Sequence, residues 1–161
     1  MVRIRVLGAT EISIGHRRIG MNTEVLFALA LYLSTRAGER VDREDLLERF
    51  WTQGSAEDRR HALRQMLYRL RQKGLILDEE GEWVGLDPSR VDSDLRAALA
   101  DGWPEKAEAA AIDAAASLTP NFSRRIAPSF LEWLDVVRER LAAQHRRAAL
   151  RQINEIGRAH V

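Results

Sequence analysis

Seven side chains between positions 60 and 71 have the types and the spacing needed to grip a polyanion: Arg60, His61, Arg64, Gln65, Tyr68, Arg69 and Arg71. Written on a helix, Arg60, His61, Arg64, Gln65, Tyr68 and Arg71, with Gln72, fall opposite an i, i+3/i+4 apolar stripe of Ala62, Leu63, Met66, Leu67 and Leu70, with Arg69 and Lys73 on the flanks. A guanidinium fork can hold guanine bidentately and a Gln amide can do the same for adenine, each about 1–3 kcal/mol of discrimination. Contacts to phosphate fix register without reading sequence. By this chemistry Arg64, Gln65 and Arg69 are candidates for bases, and Arg60, His61, Tyr68 and Arg71 for phosphates. Residues 55–73 carry six Lys/Arg against Glu57 and Asp58, a local charge of +4. Both acids sit in the first turn, where they suit the helix dipole and leave the rest of the face cationic. The same composition also describes an ordinary solvated helix face. Its position in the chain must decide.

The elements that would hold this helix are legible on both sides. Ser55, three residues before Asp58, is a start signal of the capping-box kind, and Asp42 with Asp45 opens the preceding helix, carrying Leu46, Leu47, Phe50 and Trp51. Gln53-Gly54 separates the two, a helix-turn-helix arrangement. Further upstream, Asn22 and Thr23 are N-cap candidates for a helix over 23–35, with Val25, Leu26, Ala28, Leu29, Tyr32 and Leu33 as its buried side. Val2, Ile4 and Val6 alternate with Arg3 and Arg5, Ile12 and Ile14 alternate again, and Gly15-His16 turns into 17–19. The expectation is a three-stranded antiparallel sheet with its arginines on the solvated face. After the basic helix, Gly74 releases the chain into 75–77 and 83–86, two strands about the turn DEEG. A hairpin directly behind such a helix is the wing of a winged helix.

Beyond Asp87-Pro88 the chain becomes Ala-rich. Ser93 starts a short helix through Ala100, Pro104 sits at the first position of a helix to about Ser117, and Pro128 opens a long one. Its stripe is Phe130, Leu134, Val137, Leu141, Ala148 and Ile153. The division expected is 1–88, a winged-helix unit; 89–155, the start of a helical unit; and 156–161, a tail. That tail, IGRAHV, does not continue the stripe and is similar to the read-through translation of a sequencing adapter. On that reading it is foreign and the frame is the front of a longer protein.

Composition narrows the function class. The chain of 161 residues is 45% apolar and 30% charged, enough to bury a core, and its net charge of +1 makes any anion-binding surface local. With no cysteine, it has no thiolate nucleophile, disulfide or Cys-based zinc site. Its four histidines, at 16, 61, 145 and 160, form no HExxH pair, and Gly8, Gly15 and Gly20 are isolated turn glycines rather than a phosphate loop. No catalytic residues, cofactor or metal are therefore expected. The longest uncharged apolar run, 25–33, has nine residues, about half of a membrane span, so a cytoplasmic protein is expected. A protein-interaction module is the rival reading, carried by the Ala-rich helices.

In order and in residues, these pieces resemble the Streptomyces antibiotic regulatory proteins and related bacterial regulators that join a winged helix to a bacterial transcriptional activator domain. The matching stretches are RVLGATEISIG, VDREDLLERFW, RRHALRQMLYRLRQKG, the hairpin ending near VGLDP, and PSFLEWLDVVRERL with the region of Phe122. The resemblance implies an α+β winged helix followed by a tetratricopeptide-like helical array. It also implies a transcriptional regulator, an activator in character, that binds promoter DNA side by side on direct repeats. Double-stranded DNA, and RNA polymerase or another protein, would be its partners. One departure stands out. The wing carries Asp78, Glu79, Glu80 and Glu82 where a groove-contacting wing would carry Arg or Lys, and carboxylates repel phosphate.

Overall fold

A computed structural model of the chain describes residues 1–101 and 118–159, and within them the fold is mixed α+β, with seven strands and five α-helices. The hub is α1 (Glu24–Thr35), in which every residue from Leu26 to Ser34 is buried. Only one side was expected to be covered. The run has no charge between Glu24 and Arg36, so it can be enclosed on all sides without burying an ionised group.

Strands β1 (Val2–Arg5), β2 (Glu11–Ile14) and β3 (Arg17–Ile19) form the antiparallel meander, with Ile4 opposite Ile12 and Ile12 opposite Ile19. Those isoleucines point into the core, and the intervening Arg3 and Arg17 are exposed. The expectation of a three-stranded sheet needs correction. A later strand of Val91–Ser93 pairs parallel with β1, giving a four-stranded sheet. Side chains anchor it: Arg5 donates to Asp92 at 2.7 Å, and the Asp94 carboxylate accepts from the backbone of Val6 and Leu7 at 3.1 Å. Three such residues carry too weak a strand pattern to stand out in the sequence. The chain thus crosses Pro88 without leaving the first sheet.

A second sheet is built from β4 (Val41–Asp42), β5 (Asp78–Glu80) and β6 (Trp83–Gly85), in the order β4-β6-β5. Here the hairpin register differs from expectation. The strands pair Glu80 with Trp83, so Gly81 and Glu82 form a two-residue turn and the acids at 78–80 lie in the strand. Gly81, at φ 59°, takes the first turn position, where the twist of a two-residue hairpin favours positive φ. Leu75, expected in a strand, is instead a buried anchor at the end of the preceding helix.

The Val91–Ser93 strand, β7, leads into α4 (Asp94–Asp101), whose Arg96 N–H is accepted by Ser93 Oγ at 3.1 Å. The helix anticipated over 104–117 lies outside the described residues. The last helix, α5 (Pro128–Ala159), has 32 residues and is about 48 Å long at 1.5 Å per residue. The helix runs on through Gly157 to Ala159, since one glycine costs only about 1 kcal/mol and Arg158 suits the C-terminal dipole, and one expectation fails in it. Ile153, assigned to the buried stripe, is 63% exposed, because the covered part of α5 ends at Ala148 among the described residues.

An aromatic seam binds α5 to the rest. Phe130 stacks on Phe50 at 5.0 Å and meets Phe122 edge-on at 5.1 Å, while Trp133 meets Tyr32 edge-on at 5.0 Å. Backbone joins follow it: Thr119 N–H donates to Val6 C=O at 2.8 Å, and Ser129 Oγ donates to Glu48 C=O at 2.8 Å. Residues on both sides of position 88 therefore contribute to one continuous buried core. Among the described residues, no helix is long and apolar enough to cross a membrane.

Candidate nucleic-acid interface

The basic segment forms α3 (Ala56–Gln72), an unbroken helix of 17 residues, about 25 Å long. Both ends are fixed locally. Ser55 Oγ accepts from Asp58 N–H at 3.1 Å, and Glu57 and Asp58 occupy the first turn as expected. At the other end Leu75 N–H donates to Leu70 C=O and Gly74 N–H to Arg71 C=O, the paired bonds of a Schellman stop. Gly74, at φ 104°, supplies the left-handed residue which that stop requires.

Leu63, Leu67 and Leu70 are buried and pin α3 to α1 and to α2 (Arg43–Phe50). The α2 helix is itself capped by Asp42, which accepts from Glu44 N–H at 3.0 Å. Gly54, at φ 100°, reverses the chain between α2 and α3. This packing turns the opposite side of α3 to solvent. All seven candidate residues, Arg60, His61, Arg64, Gln65, Tyr68, Arg69 and Arg71, are exposed, and Tyr68 is 55% exposed despite its large apolar ring.

Exposure does not make these cations equivalent. Arg71 Nη1 meets Glu79 Oε1 of β5 at 2.6 Å, and Arg43 Nη2 of α2 reaches the same oxygen at 3.4 Å. The acidic hairpin thus turns one carboxylate back onto α3. Arg60 Nη2 lies 3.6 Å from Glu44 Oε1. Arg59, never on the exposed face, donates from Nε to the Trp51 carbonyl. On the exposed face this leaves Arg64 and Arg69 with no carboxylate partner among the described residues, and Gln65 and Tyr68 lie between them. The hairpin's other acids, Asp78, Glu80 and Glu82, are exposed, and Trp83 is covered by the Arg40 guanidinium 3.7 Å from its ring centre.

Two contributors were not found by reading the helix alone. Arg17 of β3 donates from Nη1 to Gln72 C=O at 2.9 Å, docking a strand arginine at the end of α3. Arg125 joins Arg69 in lining a hollow of about 590 Å³ at the N-terminal end of α1. The one acid among the described residues of that lining, Glu24, is engaged by Ser123 through its hydroxyl and its N–H, which hold the carboxyl below its ordinary pKa. Arg125 lies too far along the chain for any local pattern to bring it to Arg69.

Among the described residues, no group of three or more His, Asp or Glu stands close enough to hold a metal. A scan against protein-family models finds none that matches this chain, and a search of curated proteins finds no similar sequence.

Proposed function

We propose that the chain is a sequence-specific DNA-binding transcriptional regulator whose α3 enters the major groove. In this reading residues 1–88 act as a winged helix, with α2 and α3 as its helix-turn-helix and β5–β6 as its wing, and 89–155 as the start of a tetratricopeptide-like activator unit. One observation carries the reading. A helix held by three buried leucines presents Arg64, Gln65, Tyr68 and Arg69 together to solvent, with neither arginine neutralised by a carboxylate among the described residues. Arg and Gln side chains at that spacing match the donor and acceptor edges of guanine and adenine. The acidic wing is the departure from a groove-contacting hairpin. Its Glu79 braces Arg71 and Arg43, so we assign the wing to positioning α3 and not to phosphate.

The test is a salt titration of duplex binding by fluorescence anisotropy, preceded by selection from a random-sequence library. A groove-reading helix predicts an enriched sequence and an affinity that falls steeply with ionic strength. No binding to any duplex at low salt would overturn the assignment.

A second reading, a protein-interaction module, is favoured by one observation in α5, where Val136, Leu150, Ile153 and Ile156 are each more than half exposed. Such exposed apolar side chains suit a protein contact and are compatible with DNA binding by α3.

A further inference from the structure

Between the C-terminal ends of α1 and α2 on one side, and α4 and α5 on the other, lies a cleft of about 570 Å³. Among the described residues its lining includes Arg36, Arg49, Arg96 and Arg140 against the single carboxylate of Glu39, with Trp133 contributing an aromatic wall. Each helix supplies one guanidinium from its own position in the fold. The Arg69 hollow is at the other end of α1, so this is a separate surface from the α3 face.

The four arginines divide into two kinds. Arg36 is braced by Glu39 at 2.7 Å and by the Tyr32 hydroxyl at 3.0 Å, and Arg49 donates to Ser129 C=O at 3.0 Å. Each guanidinium has five N–H donors, so both keep free donors while held in a fixed orientation. Arg96 and Arg140 have no hydrogen bond or ion pair among the described residues, and the residues three and four positions along α5 from Arg140 (Val136, Val137, Ala143 and Gln144) carry no charge. Asp92, four residues before Arg96, is held by Arg3 and Arg5. Elsewhere in this protein arginines converge on shared acids, as Arg43 and Arg71 do on Glu79. Among the described residues, four guanidiniums around one carboxylate give a net positive potential in a concave, partly desolvated space. That is the electrostatic form of an anion receptor, and guanidinium forks match phosphate and carboxylate oxygens pairwise.

We propose that this cleft binds a small organic polyanion bearing phosphate or carboxylate groups, with its carbon skeleton against Trp133. The volume is within the range of small-molecule sites. An occupant would bridge α1 and α2, which carry α3, to α4 and α5, so it would link the conformation of the helical half to that of the DNA-facing half.

The experiment uses the full chain without DNA, with inorganic pyrophosphate and citrate as probes at fixed ionic strength, followed by calorimetry and tryptophan fluorescence. Saturable one-to-one binding of at least one probe is expected, and the stronger of the two identifies the headgroup class. Arg96→Ala with Arg140→Ala should weaken it by at least about tenfold, while Arg64→Ala with Arg69→Ala should leave it unchanged. Neither arginine holds a hydrogen bond within the described residues, so the first pair is expected to fold, which circular dichroism checks. If that pair unfolds, Arg96→Lys with Arg140→Lys keeps the charge and loses the forks, and a weakening of about threefold or more is expected. The proposal is overturned if neither probe binds below about 10 mM, if the cleft variants bind like the parent, or if the α3 variants lose binding instead.

Discussion

Two sets of positions on the exposed face of α3, Arg64 and Arg69 on the one hand and Arg71 on the other, carry the same residue type and differ in what that residue can do. Arg64 and Arg69 stand on an exposed face with no carboxylate partner within the described residues, whereas Arg71, two residues on from Arg69, is tied to Glu79 at 2.6 Å. A charge count along the sequence weights all of them equally. The fold does not: Arg59 serves a backbone carbonyl, Arg60 faces Glu44 and Arg71 braces the hairpin. Of a nominal +4 segment, the charge left on the exposed face to meet a partner is concentrated in Arg64 and Arg69. The acidic strand β5 is what divides the two sets, and it does so by pairing Glu79 with Arg71.

The largest effect should come from removing the platform that both sets share. Leu67 is 1% exposed at the centre of the buried stripe, and Leu67→Ala is expected to cost about 2–5 kcal/mol of stability, measured by denaturant unfolding. Binding by both sets would then be lost together near the lowered midpoint. A loss under about 0.5 kcal/mol would mean that the stripe does not hold the helix.

Next in size are the unpaired cations. Arg64→Ala and Arg69→Ala should each cost about 1–3 kcal/mol on the preferred duplex and much less on random DNA, as competition binding would measure. Arg71→Ala should cost less than either, because a charge already neutralised by Glu79 releases fewer counterions. If Arg71→Ala proves the most damaging of the three, the contrast between the sets is broken.

Glu79→Gln tests the same contrast from the other side. It frees both Arg71 and Arg43 from their shared carboxylate, so duplex affinity should rise and the salt slope should steepen by about one unit. An unchanged slope would place Arg71 and Arg43 out of reach of phosphate. The change in stability should be about 1 kcal/mol or less, as for exposed ion pairs generally.

How much of this was legible follows from the range of the interactions involved. Caps at Asp42 and Ser55, the stop at Gly74 and the leucine stripe of α3 act within a few residues, and all are found where the sequence puts them. The exposure of the seven candidate residues follows directly from that stripe. What local patterns could not carry was pairing across the chain: β7 with β1, Glu79 with Arg71, Ser123 with Glu24, and Arg125 beside Arg69. The hairpin register went astray because Leu75 to Leu77 look like a strand, while the Schellman stop uses Leu75 as its hydrophobic anchor. In α5 the apolar period continues through Ile153 even though its cover ends, so periodicity alone overstates the buried length.

The smallest effect concerns an arginine pairing that serves the fold alone. Arg5 and Arg3 both face Asp92, at 2.7 and 3.5 Å, where β7 joins the first sheet. The hydrogen bond from Arg5, followed by the charges of Arg5 and Arg3, holds the Asp92 carboxyl below its ordinary pKa. A carboxyl depressed in the folded state contributes stability above its unfolded value, about 3.9, and loses that contribution as pH falls through the folded value. Asp92→Asn should therefore destabilise by about 0.2–1 kcal/mol near neutrality, the solvent-exposed pair being partly screened. In strong acid, where the parent carboxyl is also protonated, the two unfolding curves should converge. Duplex affinity should not change, since Arg3 and Arg5 lie on the first sheet and not on α3. A change in affinity without a change in stability would mean that the sheet arginines also meet the duplex, and the division between bracing and recognising arginines would have to be redrawn to include β1.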